Sequence, residues 1–370
     1  MTVSVAFTVS SLGMGGLERV TTIIANALSQ SDDCTVTLIN LANKSEYFPV
    51  HTDKYVKPGA LSYNWWRVRR KVHQKMRHND GNYTAEHWVR RLFGQGRYDY
   101  LILNPDFFQY FALIKQLQPQ ARIYLWMHNN YDIYVNKYFA QQQHQLKQAA
   151  SGADGIICLE HYSAARWSQW NNNVQVIHNP LTLTSRGHVS DLNSKTIACT
   201  SRLMREQKGL DYMVDVAERL PQGWHINIAG DGQDREWLEA EIARKGLENK
   251  LHLLGALDDA QLDEHYASSS MFLSLSRWEG FSLVTVEAMS RGIPVIAFRL
   301  PALEEVTDNG KYGMLVPLGD VDAMSEAIDE LIDDHSEMER YAQLSLERAK
   351  AFDLHKIVQE WKKLVLNSKS

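Results

Sequence analysis

Three cysteines in 370 residues, Cys34, Cys158 and Cys199, are too few and too scattered for a disulfide framework. None stands in C-x-x-C spacing, which speaks against zinc, and a reducing compartment fits. No stretch approaches 18 uninterrupted apolar residues, so no segment is expected to span a bilayer. The opening Met1-Thr2-Val3-Ser4-Val5 lacks the basic and apolar regions of a secretion signal, and a cytoplasmic protein is expected. Neither sign of charge dominates. With 39 Lys and Arg against 44 Asp and Glu the net charge is −5, too mild to argue for a nucleic-acid partner. No Asp-x-Asp metal motif stands out; Asp32-Asp33 and Asp258-Asp259 read as turn or helix-cap residues, and no metal is required. Short internal repeats and low-complexity tracts are also missing.

What is present is ordinary core material. Hydrophobic residues make up 44% and charged ones 22%, as in a packed globular chain whose length suits two domains. Ten tryptophans and sixteen tyrosines are many; most read as core and ordinary surface aromatics, and some could serve a carbohydrate or membrane surface. Residues 2–9 alternate with Val3, Val5, Phe7 and Val9 apolar, which predicts a strand. The turn Gly13-Met14-Gly15-Gly16 follows, and then Leu17, Val20, Ile23, Ile24, Ala27 and Leu28 recur at helical spacing. Strand, glycine turn and helix open a doubly wound α/β domain, where ligands bind at the carboxyl ends of strands.

Further strands are predicted at 35–39, 101–103, 123–127, 155–158 and 174–177. The polar stretch 179–195 reads as a linker. A second series is predicted at 196–199, 224–229, 251–254, 271–275, 294–297 and 314–316, followed by helices from Asp320 onward. Alternating strands and helices imply parallel sheets with both faces covered. The organisation is therefore a domain over 1–178, a linker over 179–195, a second domain over 196–352, and a terminal helix over 353–370 returning toward the first.

The most informative segment is Ser276-Arg277-Trp278-Glu279-Gly280-Phe281-Ser282-Leu283, which follows a predicted strand and opens a helix carrying Glu287. Gly280 permits close backbone approach to a ligand, and the amides from Gly280 to Leu283 lie at a helix N-terminus suited to phosphate. Two carboxylates around such a nest suit sugar and ribose hydroxyls. The plain alternative is a buried helix with an acid near its positive end. A second element, Ser201-Arg202-Leu203 through Lys208-Gly209-Leu210, sits where the second domain's first strand ends. Arg202 and Lys208 there could neutralise a diphosphate. Two basic loop residues alone are more often simply solvated.

Taken together these residues resemble the retaining glycosyltransferases built from two Rossmann-like domains facing each other across a cleft, the GT-B fold. The resemblance is to the large glycosyltransferase family 4-like, or glycosyl transferases group 1, family. The E-x7-E pair is Glu279 and Glu287, the S-R-L…K-G-L element runs from Ser201 to Leu210, G-D-G is Gly230-Asp231-Gly232, and G-G-x-E-R is Gly15 to Arg19. Each motif is weak alone; the four in order cover the chain.

The resemblance implies an enzyme that moves a hexose or N-acetylhexosamine from a nucleoside-diphosphate sugar, with uridine preferred as base. No cofactor beyond that co-substrate is implied. Arg202 and Lys208 would bind the diphosphate. Glu279 and the amides of Gly280, Phe281 and Ser282 would hold the sugar, Leu283 would give an amide to a phosphate, and Glu287 would bind the ribose. Gly16 would let the first loop approach the β-phosphate. His128 would face the sugar, although a capping or core histidine fits the residue equally. Gly230-Asp231-Gly232 reads better as a strand-to-helix turn than as a ligand site.

Residues 65–78 hold six Lys or Arg and no acid, with Trp65, Val68, Val72 and Met76 at helical spacing. Such a helix could rest on an anionic membrane surface or simply pack one stripe on its domain. A peripheral position at the inner face of the membrane would suit a cell-envelope glycan or lipid-linked acceptor; the alternative acceptor is a protein hydroxyl or a soluble saccharide. Three rivals share the pattern: a sugar-nucleotide epimerase or phosphorylase, a non-catalytic partner subunit, and a dinucleotide-dependent oxidoreductase. The last is weakened because Gly13, Gly15 and Gly16 do not fit G-x-G-x-x-G and Asn40, not an acid, closes the second strand.

Overall fold

The computed structural model describes residues 2–59, 81–183 and 188–366. The basic segment 65–78 lies outside these residues. The chain divides into two compact units, one of Met1–His178 with His355–Ser370 and one of Asn179–Leu354. Among the described residues no helix is long and apolar enough to cross a membrane.

The first unit holds strands β1 (Val3–Val9), β2 (Cys34–Asn40), β3 (Lys54–Val56), β4 (Tyr100–Leu103), β5 (Arg122–Trp126), β6 (Gly155–Cys158) and β7 (Val174–Val176). They form one parallel sheet in the order β3-β2-β1-β4-β5-β6-β7. Helices cover both faces, so the alternation along β1 is one of size more than polarity: Val5, Ala6, Phe7 and Val9 are all fully buried. The helix Gly16–Ser29 begins after Gly15 and buries Val20, Ile24, Ala25 and Leu28 on the sheet. Helix Leu354–Leu366 supplies Trp361, which packs against Phe7 and Trp126 with ring centres 5.4 and 4.7 Å away.

The second unit holds β8 (Thr196–Thr200), β9 (His225–Ala229), β10 (Leu251–Gly255), β11 (Met271–Ser274), β12 (Val295–Phe298) and β13 (Met314–Val316). These six also run parallel, in the order β10-β9-β8-β11-β12-β13. The two parallel-sheet α/β units match the architecture expected from the sequence, and each of the twelve predicted strands is present. Strand β3 was not predicted. It is three residues long at a sheet edge and carries no alternating pattern.

Chain order reverses between β1 and β4 in one sheet and between β8 and β11 in the other. At such a switch point the loops leaving two neighbouring strands diverge to opposite faces and leave a crevice at their carboxyl ends. The loops singled out above leave these strands, with His128 following the adjacent β5. Cys34, Cys158 and Cys199 are buried and form no disulfide.

Two glycines set the loop after β8. Gly230 has φ +139, and a Cβ there would collide with the Ser201 carbonyl oxygen. Gly209 has φ +63, and a Cβ there would meet the Leu275 carbonyl oxygen. Gly246 shares the left-handed conformation, φ +67, but faces open space. Gly209→Ala is therefore expected to cost about 3 kcal/mol, strain plus collision, against about 1 kcal/mol for Gly246→Ala. Thermal unfolding of the two variants side by side measures this, and equal losses would refute the close-approach argument.

Candidate functional site

In the second unit, the carboxyl ends of β8 and β11 bring together residues 71 positions apart. Lys208 Nζ lies 2.5 Å from Glu279 Oε1, and both side chains are nearly buried, 11% and 9% exposed. Ser276 Oγ donates to the same Oε1 at 2.7 Å. Oε2 of Glu279 is then the carboxylate oxygen left for another donor, and Lys208 keeps two of its three protons for other acceptors.

The two loops are stapled to each other beside this pair. Arg277 N–H donates to the Gln207 carbonyl at 2.7 Å, and the Arg277 guanidinium forks onto Asp211 at 2.9 and 2.6 Å while lying 4.1 Å above the Tyr212 ring. The Gly230-Asp231-Gly232 turn holds the β8 loop from the other side. Leu203 N–H donates to the Asp231 carbonyl at 3.0 Å and Arg205 N–H to Asp234 Oδ2 at 2.7 Å. That turn is a strand-to-helix connection with a clamping role. Arg202 is exposed on the clamped loop and makes no ion pair with any described residue.

Helix Leu283–Ser290 starts from Ser282, whose backbone is left-handed at φ +67 and whose side chain does not cap the helix. The hydroxyl turns instead to Thr285 Oγ1 at 2.7 Å. The amides of Gly280, Ser282, Leu283 and Val284 consequently donate to no described residue. Uncapped amides at a helix start are where an anion is stabilised. Phe281 is buried, its ring edge-on to Phe352 at 5.4 Å.

Glu287 is placed differently from Glu279. It is 2% exposed; Tyr266 donates to its Oε2 at 3.1 Å and Thr182 donates to its Oε1. Burial, and then the Glu287 charge, push the Tyr266 hydroxyl well above its ordinary pKa, so Tyr266 stays a donor. The role given to Glu287 thus requires a ribose to share oxygens with Thr182 and Tyr266.

In the first unit, Gly16 is the first residue of the helix after β1, and Gly15 before it is extended at φ −177. His128 follows β5. Its Nε2 lies 2.8 Å from Asn104 Oδ1, its N–H donates to the Tyr134 hydroxyl at 2.9 Å, and its ring centre is 4.3 Å from Trp126. Burial pulls the imidazole pKa down to about 3, so the ring is neutral at physiological pH. Tyr134 opens a single π-helical turn, Tyr134–Tyr138, at whose end Tyr138 is 53% exposed and accepts from Asn129 Nδ2 at 3.2 Å. Such turns are uncommon and concentrate at functional sites. Sequence reading placed Ser276 in the key segment without giving it a role, and missed Asn104, Thr182, Tyr266 and Tyr138. Asn104 and Ser276 carry one usable signal, a polar residue closing an apolar run at a strand's carboxyl end.

Comparison with known proteins bears on both units. The family model described as Glycosyltransferase Family 4 matches residues 14–184, and that described as Glycosyl transferases group 1 matches residues 183–347. An uncharacterized glycosyltransferase of Haemophilus influenzae is 25% identical over 97% of this chain and 98% of its own length. A lipopolysaccharide core biosynthesis mannosyltransferase of Rhizobium meliloti is 30% identical over 39% of this chain and 43% of its own. The solved structure of HepE from Anabaena in complex with UDP and glucose shares the fold, with a TM-score of 0.76 and 20% identity over 99% of this chain and 100% of that one.

The Lys208–Glu279 pair makes a quantitative prediction. Removing one member strands the other in a nearly dry site, so Lys208→Met and Glu279→Gln should each cost about 3 kcal/mol. The double variant should cost less than the sum by at least about 1 kcal/mol. Urea unfolding of the four proteins gives the coupling, and strict additivity would show the pair to be incidental.

Proposed function

The chain belongs to the glycosyl transferases group 1, family 4-like glycosyltransferases, and from that premise we propose that it is a retaining enzyme using a UDP-linked hexose or N-acetylhexosamine. The observation that carries this reading is the cationic, amide-lined loop pair at the ends of β8 and β11. The solved relative with UDP and glucose supports uridine as the base, and the lipopolysaccharide core relative supports a cell-envelope glycan or lipid-linked hydroxyl as acceptor; a protein hydroxyl is a further candidate.

The main physical demand is charge on the departing group. As the bond from the anomeric carbon to the β-phosphate oxygen breaks, negative charge grows on that phosphate. Arg202, the two remaining Lys208 protons and the amides of Gly280 to Leu283 oppose it, already oriented by the clamped loops. No divalent ion enters this mechanism. The acceptor hydroxyl oxygen bonds to the anomeric carbon on the same face, and its proton passes to the departing phosphate. Glu279 could instead act as a nucleophile, as carboxylates do in retaining glycosidases. A cation and a hydroxyl on its Oε1 make it a poor one, so its Oε2 is assigned to a sugar hydroxyl. Glu287 takes the ribose, Gly16 brings the first loop to the β-phosphate, and His128 faces the sugar. The basic segment 65–78 holds the enzyme at an anionic membrane surface on the cytoplasmic side.

Purified protein should be stabilised by UDP, by about 2.7 kcal/mol at a hundredfold excess over Kd. It should release UDP from one member of a UDP-sugar panel and keep the anomeric configuration in the product. Glu279→Gln and Arg202→Ala should each lower turnover roughly a hundredfold. Interconversion of the sugar without transfer, or release that depends on added phosphate, would favour an epimerase or a phosphorylase.

The membrane contact is tested separately. Binding to anionic vesicles should be lost when Arg69, Arg70 and Lys71 are neutralised and should weaken steeply with salt. No binding at low salt would remove that part of the proposal.

A further inference from the structure

The hydrogen bonds around His128 settle more than its position. Asn104, 1% exposed, closes β4. Its Nδ2 donates to the Thr8 carbonyl at 2.6 Å and to Thr21 Oγ1 at 3.1 Å. Its backbone N–H donates to Thr8 Oγ1 at 2.9 Å, and that hydroxyl spends its own proton on the Ile102 carbonyl at 3.2 Å. A carbonyl can only accept, so the Asn104 amide cannot be turned around without setting oxygen against oxygen. Oδ1 therefore faces His128 Nε2, and an amide oxygen also only accepts. The proton of the imidazole must be on Nε2.

A neutral imidazole carries one proton, so Nδ1 is left with its lone pair. No described residue bonds to Nδ1, and His128 as a residue is half-buried. An unshared lone pair attracts a hydroxyl and repels a phosphate or carboxylate oxygen.

We propose that Asn104 is a positioning residue that locks His128 as the Nε2–H tautomer, so that Nδ1 accepts a hydrogen bond from a hydroxyl of the substrate. His128 then selects for a correctly placed hydroxyl; it is neither an anion ligand nor a proton donor. Thr8 and Thr21 belong to the same device, since they aim the Asn104 amide. The assignment to a substrate hydroxyl rests on the glycosyltransferase reading; the tautomer itself does not.

The test is nitrogen NMR of the full chain labelled at histidine, with His128 assigned by the signals lost in His128→Gln. The expected pattern at neutral pH is one protonated nitrogen at Nε2 and one unprotonated nitrogen at Nδ1. A protonated Nδ1 would overturn the proposal. Asn104→Leu keeps the volume and removes the acceptor, so His128 should become a mixture of tautomers, and transfer should lose about fivefold in kcat/KM, the weight of one neutral hydrogen bond. An unchanged single tautomer in a folded Asn104→Leu protein would also overturn it. If Asn104→Leu does not fold, the native spectrum alone decides. A protein with the expected tautomer that transfers no sugar would sink the functional reading and leave the tautomer lock standing.

Discussion

The second unit's candidate site depends on one ion pair. Lys208 and Glu279 stand on loops leaving β8 and β11, the two strands at which chain order reverses, and each is nearly stripped of water. Taking two charges out of water is expensive, and their attraction offsets that only when geometry is good and other bonds assist. Here the assistance is visible. Ser276 joins the carboxylate, Arg277 and Asp211 staple the loops, and Gly209 and Gly230 let backbone meet backbone where no side chain would fit. The rigidity this produces is what a site needs if it must stabilise a charge that exists only in a transition state.

The two units divide their chemistry. The second collects cations, carboxylates and uncapped amides at the start of helix Leu283–Ser290. The first offers neutral groups: a buried amide, an uncharged imidazole and two tyrosines around it. Anions and hydroxyls are recognised by different means, the former by field and the latter by the direction of lone pairs and protons.

The fold was legible because strand and helix periods are local. Alternation in residues 2–9, apolar runs such as 271–275 and the helical spacing after Gly16 each declare an element without reference to the rest of the chain. Lys54–Val56 was not legible, since three residues at an edge hold no period and borrow their conformation from β2. The charged part of the site could be read from its loops. Its partners could not: Asn104 meets Thr8 across 96 positions, and Thr182 meets Glu287 across 105. Such partners are set by strand order and register, which single-sequence patterns do not carry. Glu279 and Glu287 look equivalent as letters eight apart, yet the structure gives one an open oxygen and encloses the other.

The π-helical turn Tyr134–Tyr138 has a consequence for the evolution of this segment. A π turn is an α-helical path lengthened by one residue. Deleting any one of Val135, Asn136 or Lys137 would restore the tighter winding, in which three α steps of about 100° nearly replace the four wider-turn steps, so Tyr138 would keep close to its present side of the axis. Tyr134 would still hold the His128 backbone, and Tyr138 would stay on the side of Asn129. The extra residue is thus absorbed within the turn, and the segment between these two tyrosines can gain or lose one position while the groups beside His128 and the fold beneath them keep their places.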